Sequence, residues 1–189
     1  MSKTIDQTSL IGLWSKKHSN PKKYTNQGIF VVLWSLLFNK ILVAIDGSNL
    51  AYQSLDYALS LAKNYSAKVM VLTVVDIPSN SLLAQGSAFT PISTQNYKKK
   101  LVTYHKKILS EVTKKAKKLN PKISFTTKLL EGRPADKIVE TAKLESFDLI
   151  IIGSRGLGGI KEIFLGSVSD RVADEAPCPV LIVKNVSHA

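Results

Sequence analysis

The chain has 189 residues, a net charge of +12, 44% apolar residues and 21% charged ones. This is the composition of a globular protein with a sizeable core, and the length suits one domain with room for an appendage. The single cysteine, Cys178, excludes an internal disulfide framework and fits a reducing cytosol. The basic balance points to an anionic partner without separating nucleotide, nucleic acid and membrane.

Residues 1–36 read differently from the rest. Residues 1–39 hold five lysines and one aspartate, which is +4 and leaves +8 of the +12 for the remainder. The apolar stretch from Ile29 to Phe38 is too short to cross a bilayer alone, which takes about 20 residues. Three readings compete. One is a signal peptide or membrane anchor, with residues 28–38 as its apolar part. Another is an amphipathic or partly disordered extension. The third, and the one expected, is a mis-assigned start, with a leucine codon at residue 37 as the true initiation site. On that reading 1–36 is a doubtful extension and 37–189 is the domain. A peptide from residues 2–30 in mass spectra of the native protein would refute it.

From residue 40 the pattern alternates. Lys40 to Ile45 is a short β-branched run suited to a buried parallel strand. Ser48 can cap a helix whose apolar positions are Leu55, Ala58, Leu59 and Ala62. Lys68 to Val75 is a second buried strand. A polar, uncharged loop is predicted from Ile77 to Thr94. A lysine-rich helix over 96–119 follows, with Leu101, Ile108, Leu109, Val112, Ala116 and Leu119 inward. Ile123 to Leu130 alternates as a sheet-edge strand does. Pro134 opens a helix with Ile138, Val139 and Ala142 on its buried face. Phe147 to Ile152 is a fourth strand, Ser167 to Ala176 a helix striped by Val168 and Val172, and Pro179 to Val183 a fifth strand. Strands alternating with helices imply an α/β fold with an open parallel sheet and helices on both faces.

Residues 153–167, Gly-Ser-Arg-Gly-Leu-Gly-Gly-Ile-Lys-Glu-Ile-Phe-Leu-Gly-Ser, lie between the fourth strand and a helix start. Glycines let backbone N–H groups close on an anion. A helix N-terminus adds unpaired donors and partial positive charge. On these residues alone the stretch is either a phosphate cradle or a set of tight turns. If the strand order is 3-2-1-4-5, Asp46-Gly47-Ser48 after strand one meets this loop at the topological switch point. There Gly153 would let a ribose or phosphate approach, and Arg155 and Gly156 would line the loop. Gly166, Ser167 and Val168 would offer backbone N–H groups, and Ser167 and Ser169 hydroxyl donors. Asp46 could accept from a ribose hydroxyl or hold a divalent cation. It could equally form only an Asx turn or helix cap.

The spacing Gly153-x2-Gly156-x9-Gly166-Ser167 resembles the ATP-binding signature of the universal stress protein family. The resemblance extends over Ile41 to Ser48, Val71 to Asp76, Glu131-Gly-Arg-Pro134, Asp148 to Gly156 and Ala176 to Val183, roughly residues 37–184. It implies a five-stranded Rossmann-like sheet of order 3-2-1-4-5 and a homodimer formed through the last strand, Val180 to Val183. It implies ATP, with Mg or Mn, as ligand. Ala44 and Asp46 would lie near the ribose and metal, and Val74 would meet adenine. Ile152, Gly153, Arg155 and Gly156 would follow the ribose and phosphates, and Gly166, Ser167, Val168 and Ser169 would hold the phosphate tail. The chain keeps the glycine signature and so resembles the ATP-binding branch.

Other readings fare worse. A dinucleotide fingerprint belongs after the first strand, and no Gly-x4-Gly-Lys-Ser/Thr exists for a P-loop. The nine lysines of 96–119 read as a solvated helix face, with few arginines or interleaved aromatics for stacking on nucleic acid. No nucleophile with its general base stands out; His105 is expected to be exposed, and Cys178 to be core. The reading is a cytoplasmic, ATP-binding stress-response or regulatory protein that acts through a partner. The alternatives are slow ATP hydrolysis or binding of another adenine nucleotide. Nucleic acid is not the expected partner, nor is a membrane unless residues 28–38 are an anchor.

Overall fold

The computed structural model describes residues 38–76, 91–156 and 165–184, with side chains from residue 95 onward in the second span. The expectations for residues 1–36, for 77–90 and for glycines 158 and 159 lie outside the described residues.

Five strands form one parallel sheet: β1 (Lys40–Ala44), β2 (Lys68–Val75), β3 (Phe125–Glu131), β4 (Leu149–Gly153) and β5 (Val180–Val183). Their order is β3-β2-β1-β4-β5, as expected. Four helices connect them: α1 (Asn49–Tyr65), α2 (Pro91–Leu119), α3 (Pro134–Leu144) and α4 (Ser167–Glu175). The central strands are apolar on both faces because helices cover both. Ile41, Val43, Val69 and Val71 pack with Leu55 and Leu59 of α1 and Ile108 and Val112 of α2. Leu42, Leu72, Ile150 and Ile152 pack with Ile138 of α3 and Val172 of α4.

Asp148 fastens the amino-terminal edge. Its Oδ2 accepts from the backbone N–H groups of Asn39 (2.8 Å) and Lys40 (2.9 Å), which aligns β1 beside β4. The register pairs Ala44 with Ile152, so the loops leaving β1 and β4 emerge side by side. All strands run parallel, but successive strands are added outward from β1 to β2 and β3 on one side and from β4 to β5 on the other. The order of winding therefore reverses between β1 and β4, and this is the switch point.

Two expectations need correction. Helix α2 begins at Pro91, not near residue 96; proline fits a first turn because its missing N–H would have no partner there anyway. Leu119 is 60% exposed rather than inward, since as the last residue of α2 it has no following turn to cover it.

Candidate functional site

A cavity of about 590 Å³ opens at the carboxyl ends of β1, β2 and β4. Its wall brings together all eleven residues singled out in the sequence: Ala44, Asp46, Val74, Ile152, Gly153, Arg155, Gly156, Gly166, Ser167, Val168 and Ser169. It also includes Leu72, Pro134 and Ile138, which were missed. Leu72 lies two positions before Val74 and so shares its face of the sheet. Ile138 was recognised only as a core residue of α3. The lining that comes from β2 and α3 is therefore apolar, made by Leu72, Val74, Pro134 and Ile138, with Ile152 of β4 adding to it. The polar side of the cavity carries Asp46, Arg155 and the start of α4.

Asp46 does two things. Its Oδ1 accepts from the Ser48 N–H at 2.9 Å, the Asx turn weighed above. Ser48 then caps α1, its Oγ accepting from Ala51 N–H at 3.2 Å. The other carboxylate oxygen faces the glycine loop: a Cβ on Gly156 would stand 2.5 Å from Asp46 Oδ2. With any side chain at 156, the Asp46 carboxylate or the loop would have to shift. Gly47, at φ +93°, is required twice over, because a Cβ there would meet Tyr104 Oη at 2.7 Å and Ile108 Cδ1 at 2.8 Å.

Gly153 has another explanation than ligand approach. Its missing side chain makes room for α1, since a Cβ would come within 3.0 Å of Leu50 Cβ and 3.2 Å of the Leu50 carbonyl carbon.

The two ends of the glycine segment are tied at a neck. Gly166 N–H donates to the Ser154 carbonyl at 2.8 Å, and the Ser154 N–H donates to Val183 O at 2.7 Å. Ser169 Oγ lies 2.9 Å from both Ser154 O and Gly166 O. One hydroxyl proton serves one of these acceptors at a time, and Ser169 is buried. Its hydroxyl therefore belongs to the neck, contrary to the expectation that it would point at a ligand. Gly166 is the N-cap of α4, and Asp170 N–H makes the first intrahelical bond to Gly166 O at 2.9 Å. The N–H groups of Ser167, Val168 and Ser169 thus have no acceptor within the helix and form the positive end of its dipole. Arrays of this kind bind phosphate oxygens.

Behind the Asp46 loop lies a contact absent from the sequence reading. His105 is half-buried, not exposed, and its Nδ1 sits 2.6 Å from Oγ1 of the fully buried Thr73. The rings of His105 and Tyr104 meet edge to face at 5.5 Å. Burial pushes the imidazole below its ordinary pKa of 6.5, and the nearby Asp46 charge pulls it partly back. The signal was available: 101, 105, 108 and 112 follow helical spacing, which places His105 on the buried stripe. Cys178 is half-buried beside the α3/α4 core, and burial raises its thiol pKa.

This combination of fold and loops has known relatives. Residues 37–184 match the Universal stress protein family. The chain is a member of that family. Universal stress protein MJ0531 of Methanocaldococcus jannaschii is 38% identical over 149 residues, covering 78% of this chain and 83% of the relative. Universal stress protein YxiE of Bacillus subtilis is 37% identical, covering 78% of this chain and all of the relative. Among solved structures, hypothetical protein MJ0577 aligns with a TM-score of 0.69 at 27% identity, over 80% of this chain and 99% of its own. A universal stress protein in complex with cAMP aligns with a TM-score of 0.56 at 26% identity, over 78% of this chain and 98% of its own. Among the described residues, no helix of this family member is long and apolar enough to cross a membrane.

Proposed function

We propose that this protein binds ATP at the switch-point cavity and acts as a cytoplasmic regulator through a nucleotide-linked homodimer. The observation that carries the reading is the division of the cavity into two chemically distinct sides. Leu72, Val74, Pro134, Ile138 and Ile152 offer apolar contacts to a flat base. The unpaired N–H groups of Ser167, Val168 and Ser169 offer a phosphate chain its donors. Asp46 and Ala44 lie between these sides in the wall, where a ribose would sit. A volume of about 590 Å³ is within the usual range for small-molecule sites.

Asp46 is also the residue for Mg or Mn. Among the described residues there is no cluster of three or more histidine, cysteine, aspartate or glutamate side chains able to hold a metal. A cation here would share its coordination between Asp46 and phosphate oxygens, the usual habit of magnesium. Bound, it would screen phosphate charge beside the Asp46 carboxylate.

Binding rather than efficient catalysis is the better reading. The described wall of the cavity holds no histidine, cysteine or lysine, and its one carboxylate is already engaged with Ser48 N–H. A second reading, a non-catalytic binder of another adenine nucleotide, is favoured by the relative solved with cAMP. The dimer reading is supported by the edges of the sheet. Edge strand β3 carries Lys128, a charge that discourages edge pairing, whereas β5 is the uncharged Val-Leu-Ile-Val with Leu181 38% exposed.

The test is denaturing release of whatever nucleotide co-purifies, followed by calorimetry on the stripped, folded protein. Micromolar to submillimolar ATP binding with Mg²⁺ is expected. No binding at millimolar ATP would defeat the proposal, and tighter binding of AMP or cAMP would replace ATP with the second reading.

A further inference from the structure

Helix α2 carries nine lysines between residues 98 and 118 and one acidic residue, Glu111. Two of the lysines are committed to neighbours: Lys98 to Glu131 at 2.7 Å and Lys115 to Asp56 at 2.6 Å. Glu111 accepts from Tyr52 of α1 at 3.0 Å and faces that flank. The other seven, Lys99, Lys100, Lys106, Lys107, Lys114, Lys117 and Lys118, are exposed, and none is in an ion pair with a described residue.

At about 100° per residue these seven sort into a pattern. Lys99, Lys106 and Lys117 form one row, and Lys100, Lys107 and Lys118 form a second, about 100° around the helix. Lys114 stands between them. The crest, opposite buried Val112, carries the exposed Thr103 and Ser110 together with Lys114. The rows run for about 28 Å along the helix axis. Helix α2 covers β2 and the edge strand β3, with α1 on one side, and among the described residues no helix packs on its other flank.

We infer that the outer face of α2 is a sequence-independent docking surface for double-stranded DNA. The B-form major groove is about 12 Å wide and admits an α-helix. Two cationic rows splayed around the crest would meet the phosphates of its two rims, and Thr103, Ser110 and the long, flexible Lys114 would face the groove between them. Lysine contacts to phosphate position a protein without reading sequence. A planar anionic membrane fits less well. A plane would meet the crest of Thr103, Ser110 and Lys114 and leave the two rows splayed away from it, and the crest has no apolar side chain to insert. The A-form major groove of duplex RNA is too narrow for side chains to enter. Single strands would want aromatics among the lysines, whereas Tyr97 and Tyr104 lie off to one side.

The test is fluorescence anisotropy of the full chain with a labelled 20-base-pair DNA of arbitrary sequence, across a salt series. Seven phosphate contacts give a slope of log K against log[salt] near −6. A variant with Lys99→Gln, Lys106→Gln, Lys107→Gln and Lys117→Gln should lose at least tenfold in affinity at 0.1 M salt, with a slope shallower by about 3 to 4. The matching Lys→Arg variant should retain both. A control with Lys63→Gln, Lys68→Gln, Lys143→Gln and Lys184→Gln lowers the net charge equally elsewhere and should bind nearly as the parent does. Equal loss in the control would overturn the inference, as would the absence of DNA binding. Tighter binding to duplex RNA or to phosphatidylserine vesicles would overturn it as well.

Discussion

Gly156 and Gly166 make different demands although both belong to one glycine pattern. A methyl group at Gly156 collides with the Asp46 carboxylate, so Gly156→Ala must displace either the loop or the acid. At Gly166 the nearest atom to an added Cβ is Ser154 O at 3.4 Å, an ordinary contact. Calorimetry should therefore show Gly156→Ala weakening nucleotide binding tenfold or more, with the far-ultraviolet spectrum unchanged. Gly166→Ala should stay folded with a smaller loss, and the branched Gly166→Val should lose most of the affinity. His105 carries a second expectation. Its folded-state pKa lies below 6.5, so the unfolded chain binds more protons in the acid range. Stability is then full above pH 6.5 and falls as pH drops through the depressed folded value. Urea titrations from pH 5 to 8 should show this slope in the parent and its reduction in His105→Gln. An unchanged slope would mean that other groups carry the pH dependence. Thr73→Val removes the buried partner of the imidazole and should cost about 1–3 kcal/mol.

At the scale of elements, Asp46 and Ser48 start α1 together, and their contributions can be separated. Ser48→Ala loses the cap and should cost about 1 kcal/mol in urea unfolding. Asp46→Asn keeps an oxygen for the Ser48 N–H but loses the charge. It should leave stability nearly unchanged while removing the Mg²⁺-dependent part of nucleotide affinity. The strands were readable because burial on both faces forces near-continuous apolar runs, as in Ile41 to Ala44 and Leu149 to Ile152. Their order followed from the family resemblance, not from local pattern. The start of α2 was missed because Pro91, Ser93 and Thr94 have turn chemistry that outweighs weak helical periodicity. The apolar half of the cavity was only partly readable, since Leu72 and Ile138 look like any core residue until helix and sheet are packed. His105 was misplaced because the lysines around it dominate the local composition, although its spacing put it on the inner stripe.

For the whole molecule, ligand and assembly should appear in thermal unfolding. A nucleotide at 100 times its dissociation constant adds about 2.7 kcal/mol, or roughly 5–10 °C in Tm for a chain of this length. Leu181→Lys places charge on the exposed β5 edge and should shift the species seen in light scattering from dimer to monomer. An unchanged mass would move the interface elsewhere. Helix α2 has one more property that follows from its attachment. Its 29 residues make a rod about 44 Å long, and Tyr104 and Ile108, near its middle, rest on Gly47 beside the cavity. The rod is also packed on the sheet through Val112 and Ala116 and tied by Lys98 and Lys115, so it would move as one body. Any tilt imposed at Gly47 would swing the two ends in opposite directions, and ten degrees there would carry Lys118 by about 3 Å.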